Sequence, residues 1–160
     1  MLNFCEWLEQ TKLVSTIGGT GWMYVTFSVM HYFSWFVLVG TIVLIDLRVL
    51  GVAARSQSVS RLAGQLFPWT WTALGLALFS GFVMFATGAG DFYPDRVFRV
   101  KIGVIALALI FTFIVQRNVP KWDRAPSISA GGKLLAFISL ALWVGTILAG
   151  VEVPAISGLG

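Results

Sequence analysis

Four long apolar segments follow one another along the chain, and short polar stretches that hold most of the charges separate them. A helix needs about 20 apolar residues to cross roughly 30 Å of hydrocarbon, and each of the four segments is long enough. The pattern therefore predicts an all-α protein, a four-transmembrane-helix bundle in which residues 1–160 form a single integral membrane domain. The predicted spans cover residues 22–46, 65–88, 97–116 and 132–151.

The segment before the first span has a different, amphipathic pattern. Within residues 3–14, Phe4, Trp7 and Leu8 recur on one helical face, and polar side chains cover the remainder. This pattern predicts a short interfacial helix that lies on the membrane surface. The glycine-rich residues 18–21 then allow the chain to turn into the bilayer.

The composition supports a membrane protein and excludes several other classes. Charged residues make up 11% of the chain and hydrophobic residues 58%, whereas a soluble domain carries roughly 25% charged residues. The expected partner is therefore a lipid bilayer. The net charge of +4 comes from cations in the loops beside the spans, so it does not indicate a nucleic-acid partner. A single cysteine, Cys5, excludes an internal disulfide.

Basic residues in the loops predict the orientation. The loops after spans one and three hold seven cations, whereas the opposite side holds four, partly offset by Asp91 and Asp95. The positive-inside rule then predicts a multi-pass protein with both termini outside the cytoplasm. The seven cations are Arg48, Arg55, Arg61, Arg117, Lys121, Arg124 and Lys133.

Small residues recur every fourth position in two of the spans. Such stripes let helix backbones approach closely in a bilayer. They fit either packing within one protomer, which we favour, or a seam between copies. With two stripes in so small a bundle, we also expect a homo-oligomer or a place in a larger membrane complex. The stripes are Ala73, Ala77 and Gly81 in span two, and Ala141, Gly145 and Ala149 in span four.

His31, the only histidine, lies well inside the first span, roughly 13 Å below its start at a rise of 1.5 Å per residue. Ionisable residues at that depth are costly and usually face a bundle interior, a ligand or a water-filled cavity. Helical spacing predicts a pocket lined by Tyr24, Ser28, Ser34 and Trp35 on the same face.

Three interpretations of His31 remain open. It is a hydrogen-bonded packing residue, a ligand for haem b or copper, or part of a site for another small molecule. A membrane b-type cytochrome usually holds its haem with paired histidines, and this chain has one. A haem would therefore need five-coordinate iron, a methionine partner or a site shared between two protomers.

Charged residues at the ends of the spans predict two ion-pair clusters. One joins Lys101 to Glu152, with the equal alternative that both lie unpaired among the lipid headgroups. The other joins Asp46 and Arg48 with Arg61 or with the cations of the loop after span three. With Asp46 placed at the end of its span, no acidic residue is predicted in mid-span, which argues against a proton-coupled exporter. The sequence also has no HExxH motif and no glycine-rich phosphate loop, so it favours a non-catalytic protein.

An ordered set of short motifs resembles an uncharacterised family of small bacterial four-helix membrane proteins. The resemblance implies a protein of the bacterial inner (cytoplasmic) membrane without an assigned activity, and a more distant similarity to copper-resistance-type and b-type cytochrome membrane domains. In that family an acidic residue often stands three positions before the histidine, where this chain has Ser28. The motifs are His31, DLRVLG at 46–51, Pro68-Trp69, SGFVMF at 80–85, FRVK at 98–101 and KWD at 121–123.

These observations predict a non-catalytic membrane subunit of a bacterial envelope assembly, with a pocket at His31 and a redox link left open. The alternative is a small haem- or copper-binding electron carrier. A small-molecule transporter is the third hypothesis.

Overall fold

The computed structural model describes residues 2–157 and the side chains of residues 2–149. Its described part is all-helical, and four of its helices (α3, α4, α6 and α7) are long and apolar enough to cross a membrane. The predicted all-α class with four membrane-spanning helices is therefore confirmed, and the protein is a multi-pass membrane protein. The helices are α1 Leu2–Gln10, α2 Lys12–Gly19, α3 Gly21–Leu50, α4 Val59–Ala86, α5 Ala89–Phe92, α6 Arg96–Arg124 and α7 Ala130–Ser157.

The four long helices pack mainly as two sequential pairs. Helix α3 lies against α4 and helix α6 against α7, and contacts from α3 to α7 and from α4 to α6 join the pairs. Large apolar side chains also point outward on all four helices, for example Phe36, Phe82, Phe113 and Leu148, where they suit contact with lipid. The inner side chains form two clusters: one around Leu38, Ile42, Ala73, Ala108 and Trp143, and the other around Ile45, Val49, Phe67, Val115 and Ala136.

The end of the bundle formed by the α3–α4 and α6–α7 connections, here called the basic end, is tied together by helix caps. Helix α3 stops at Gly51, whose φ of 79° is a left-handed conformation that glycine adopts without steric cost. The Asp123 carboxylate, from the last turn of α6, accepts hydrogen bonds from the backbone N–H groups of Val59 and Ser60, both at 2.9 Å. Two of the unpaired donors at the start of α4 are thereby satisfied.

The N-terminal segment forms two helices, whereas the sequence predicted one over residues 3–14. The chain breaks at Thr11, whose hydroxyl donates to the Leu8 carbonyl at 2.7 Å. Helix α1 is held against α5 because the Glu9 carboxylate accepts from the Gly90 N–H at 2.8 Å. Phe4 and Trp7 remain exposed.

The two stripes of small residues have different surroundings. Ala73 and Ala77 are buried against neighbouring helices, and Gly81 lies beside the His31 ring. A Cβ added at Gly145 would meet nothing within 4 Å, and Ala141 is exposed. The stripe of α4 therefore packs within the protomer, whereas that of α7 faces away from it at Ala141 and Gly145.

Candidate functional site

The imidazole of His31 is hydrogen-bonded on both sides. The Trp35 indole N–H donates to Nε2 at 2.9 Å, and Nδ1 lies 3.0 Å from the Ala77 carbonyl oxygen and 3.2 Å from the Ser80 hydroxyl. Because an indole nitrogen can only donate, Nε2 must be an unprotonated acceptor. This arrangement assigns the proton to Nδ1, which donates to the Ala77 carbonyl.

The absence of a side chain at Gly81 allows His31 to lie directly on the backbone of α4. A Cβ built on Gly81 would stand 2.8 Å from the His31 Cε1 atom, closer than real Cβ contacts allow, and 3.2 Å from Nδ1. Ala77, one turn earlier, is buried and also small. The α4 stripe thus forms a shallow groove that receives the ring.

The hydrogen bonds at His31 continue through aromatic side chains to the other two long helices. The Trp35 ring meets Trp143 of α7 edge to face, with centroids 5.8 Å apart. The Trp143 indole donates to the Thr112 hydroxyl of α6 at 2.8 Å, and that hydroxyl donates to the Ala108 carbonyl at 3.0 Å. One chain of polar and aromatic contacts, here called the His31 network, therefore connects α4, α3, α7 and α6.

The structure brings one of the four predicted pocket residues, Trp35, into a hydrogen bond with His31. Tyr24 is exposed. Ser28 and Ser34 instead donate to carbonyls of their own helix, those of Tyr24 at 3.0 Å and Met30 at 2.7 Å. A serine in an apolar helix commonly satisfies its hydroxyl in this way. This explains why Ser28 and Ser34, although predicted on the same helical face as His31, do not line a pocket with it.

Asp46 requires a correction, because the sequence predicted an ion pair with Arg48 and Arg61. The residue is 1% exposed, and neither carboxylate oxygen accepts a hydrogen bond within the described part of the chain. Arg48 Nε donates instead to the Gln57 carbonyl at 2.7 Å. Arg61 is exposed on α4. The physical reason is helical phase: Asp46 falls on the same stripe as the buried Ile42 and Val49.

Asp46 also overturns the sequence argument against transport, which rested on the absence of a buried acidic residue. Ser139 of α7 lies beside its carboxylate, but the two groups do not complete a hydrogen bond.

Lys101 is half-buried on α6. The side chain of Glu152, its predicted partner, lies outside the described residues, so that ion pair remains a prediction.

A polar groove of about 400 Å³ opens at the basic end. Arg48 and Lys133 line it together with Trp122 and Asp123. No group of three or more His, Cys, Asp or Glu side chains that could hold a metal ion occurs in the described part of the chain.

Residues 4–154 match a family described as "Family of unknown function (DUF6644)". The chain belongs to this family. The match agrees with the expected membership of an uncharacterised family, and it includes both His31 and Asp46. No curated protein and no solved structure matches this DUF6644 chain. Any function must therefore be argued from its own residues.

Several residues that the structure connects to His31 and Asp46 were not predicted from the sequence. Ser80, Thr112, Trp143 and Ser139 are fully or almost fully buried, but none was singled out as a site residue. Trp143 had a usable signal, because tryptophan normally gathers at the membrane interfaces, and position 143 is near the middle of the predicted span 132–151.

Proposed function

We propose that this DUF6644 protein is a non-catalytic integral membrane subunit of a larger assembly, and that His31 is the centre of its internal framework. The observation that carries the proposal is that both imidazole nitrogens bond to groups of the same protomer. A histidine used in this way fixes the rotation of α3 against α4. From the resemblance and the loop charges we add a bacterial inner-membrane location with both termini outside the cytoplasm.

A haem- or copper-binding electron carrier is the competing function, and it would use the same histidine. Iron or copper binds a neutral imidazole through a free ring nitrogen. Here Nε2 accepts the Trp35 indole proton and Nδ1 carries its own proton toward Ala77, so a metal would first have to displace one of these bonds. An absorption spectrum of the purified protein tests the haem-binding form of this function, because a Soret band that disappears in His31→Gln would identify a haem ligand.

Substitutions at His31 should show its structural role. We expect His31→Gln to be nearly neutral, because the glutamine carbonyl can accept from Trp35 and its amide can donate to Ala77. His31→Leu should lower the free energy of unfolding by about 1–3 kcal/mol, because it leaves the buried Trp35 N–H without an acceptor. Unfolding of both variants in mild detergent measures the difference. Equal losses would contradict a role based on hydrogen bonding.

The assembly part of the proposal is supported by the outward face of α7. Phe137, Val144 and Leu148 are exposed there, and Gly145 leaves room for close approach by another helix. We expect the protein extracted from native membranes in mild detergent to be larger than one 17.5 kDa chain with its detergent. Gly145→Leu should reduce that size, with Gly40→Leu on α3 as the matched control, since a Cβ there also meets nothing within 4 Å. A monomer in native extracts would contradict this part of the proposal.

A further inference from the structure

Asp46 is an acidic side chain buried inside the packed bundle, about one helical turn from the end of α3. It lies four residues before Leu50, roughly 6 Å along the helix axis. Both of its carboxylate oxygens are buried, and neither has a hydrogen-bond partner among the described residues. An uncompensated buried charge is strongly unfavourable. A carboxylate buried in this way therefore needs a positive group beside it, and no hydrogen-bond partner among the described residues supplies one.

Two further buried oxygens without partners lie on α7 and α6. One is the Ser139 hydroxyl of α7, which is beside the carboxylate. The other is the Gln116 side-chain carbonyl of α6. Thr112 of α6 bonds to Trp143 of α7, and in an antiparallel pair the next turn toward the basic end brings Gln116 and Ser139 to the same level. Three helices therefore present unpartnered oxygens at one depth.

No cation among the described residues donates a hydrogen bond to this group of oxygens. No described side chain donates a hydrogen bond to Asp46. The nearest arginine in sequence, Arg48, is bonded to the Gln57 carbonyl and lines the groove at the basic end. His31 has both nitrogens occupied about four turns away on the same helix.

We propose that Asp46, Ser139 and Gln116 form a binding site for one monovalent cation, Na⁺. The donor set is a carboxylate, a hydroxyl and an amide carbonyl, which are the oxygen ligands that hard cations prefer. A single carboxylate balances one positive charge, whereas divalent sites usually draw on several acidic groups. The bound cation satisfies all four oxygens and joins α3, α6 and α7, on the side of the His31 network that lies toward the basic end.

Thermal unfolding of the purified full chain in detergent tests the site, with NaCl compared against choline chloride at equal ionic strength. A ligand that binds the folded state alone raises the melting temperature. At a Na⁺ concentration about a hundred times the dissociation constant, the expected rise is about 5–10 °C. Asp46→Asn should abolish the rise, and in choline it should melt above the wild-type protein, because a neutral amide needs no counter-ion. Asp91→Asn, an exposed acid on α5, is the matched control and should keep the full rise.

Ser139→Ala provides a second variant that leaves the charge in place. It should keep the Na⁺-dependent rise but need roughly tenfold more Na⁺ to reach it, since one ligand to a charged group is lost. Equal melting temperatures of the wild type in Na⁺ and choline would overturn the proposal. So would a Na⁺-dependent rise that survives in Asp46→Asn, or stabilisation by acid that is identical in the two salts, which would show that the carboxyl takes up a proton instead. None of these outcomes depends on His31 or on assembly.

Discussion

Gly81→Ala is expected to lower the free energy of unfolding by about 1–3 kcal/mol, the usual cost of overpacking a close contact. The new methyl carbon would stand 2.8 Å from the His31 Cε1 atom. The ring cannot simply retreat, because Trp35 holds one nitrogen and the Ala77 carbonyl holds the other. The substitution must therefore break one of these hydrogen bonds or push α3 away from α4. Chemical or thermal unfolding in mild detergent measures the loss.

Gly75→Ala in the same helix is the matched control. A Cβ at that position meets nothing within 4 Å, and alanine is a better helix former than glycine by about 1 kcal/mol. The control is therefore expected to be neutral or stabilising. The double variant with Gly81→Ala and His31→Ala should lose less free energy of unfolding than the sum of the two single losses. The reason is that His31→Ala removes the imidazole atoms with which the methyl group added at Gly81 would clash. Additive losses, or equal effects at the two glycines, would show that His31 does not occupy this position.

The fold could be predicted because it depends on quantities that a sequence shows directly. Four apolar segments of sufficient length cannot be placed in water, and in a bilayer they must satisfy their backbone hydrogen bonds as helices. The residues at which the helices begin and end are harder to predict from the sequence. Helix α3 runs from Gly21 to Leu50, four residues beyond the predicted span 22–46, because helical hydrogen bonds continue past the edge of the hydrocarbon.

The surroundings of His31 could be predicted only along its own helix. Trp35 lies one turn away, so helical spacing alone indicates it. Ala77 and Ser80 belong to α4, and their position depends on how α4 is rotated about its axis. The stripe of small residues predicted a close approach of another helix at Gly81, but not which side chain would arrive there.

Asp46 shows how two sequence signals can compete. Its place at the end of the predicted span 22–46 indicated a position at the polar boundary and an ion pair with Arg48 or Arg61. Its spacing from Ile42 and Val49, by four and three residues, indicated the buried face instead. The structure follows the spacing, because the helix continues for another turn and the α3–α7 contact extends with it. For Asp46, the spacing from buried residues therefore predicted the environment of the side chain better than its place near the helix end did.

Trp143→Ala is expected to be among the most damaging single substitutions in this protein, with a loss of about 3–5 kcal/mol in the free energy of unfolding. The side chain is 0% exposed and belongs to the apolar cluster around Leu38 and Ala108. Truncation removes its edge contact with Trp35 and leaves a large cavity between helices. The loss of its bond to Thr112 matters less, since that hydroxyl keeps the Ala108 carbonyl as a partner.

Two further variants separate these contributions. Trp143→Phe retains most of the packing and removes the hydrogen bond, so it should cost clearly less than the alanine change, about 1–2 kcal/mol. Trp69→Ala removes a tryptophan that is 65% exposed on α4, and its effect should be about 0.5 kcal/mol or less, as for other substitutions away from packed sites. Unfolding followed by circular dichroism at 222 nm, a helix signal chosen as roughly independent of the tryptophan count, compares all three. If Trp69→Ala and Trp143→Ala were equally damaging, the His31 network would not be what holds α7 against α3 and α6.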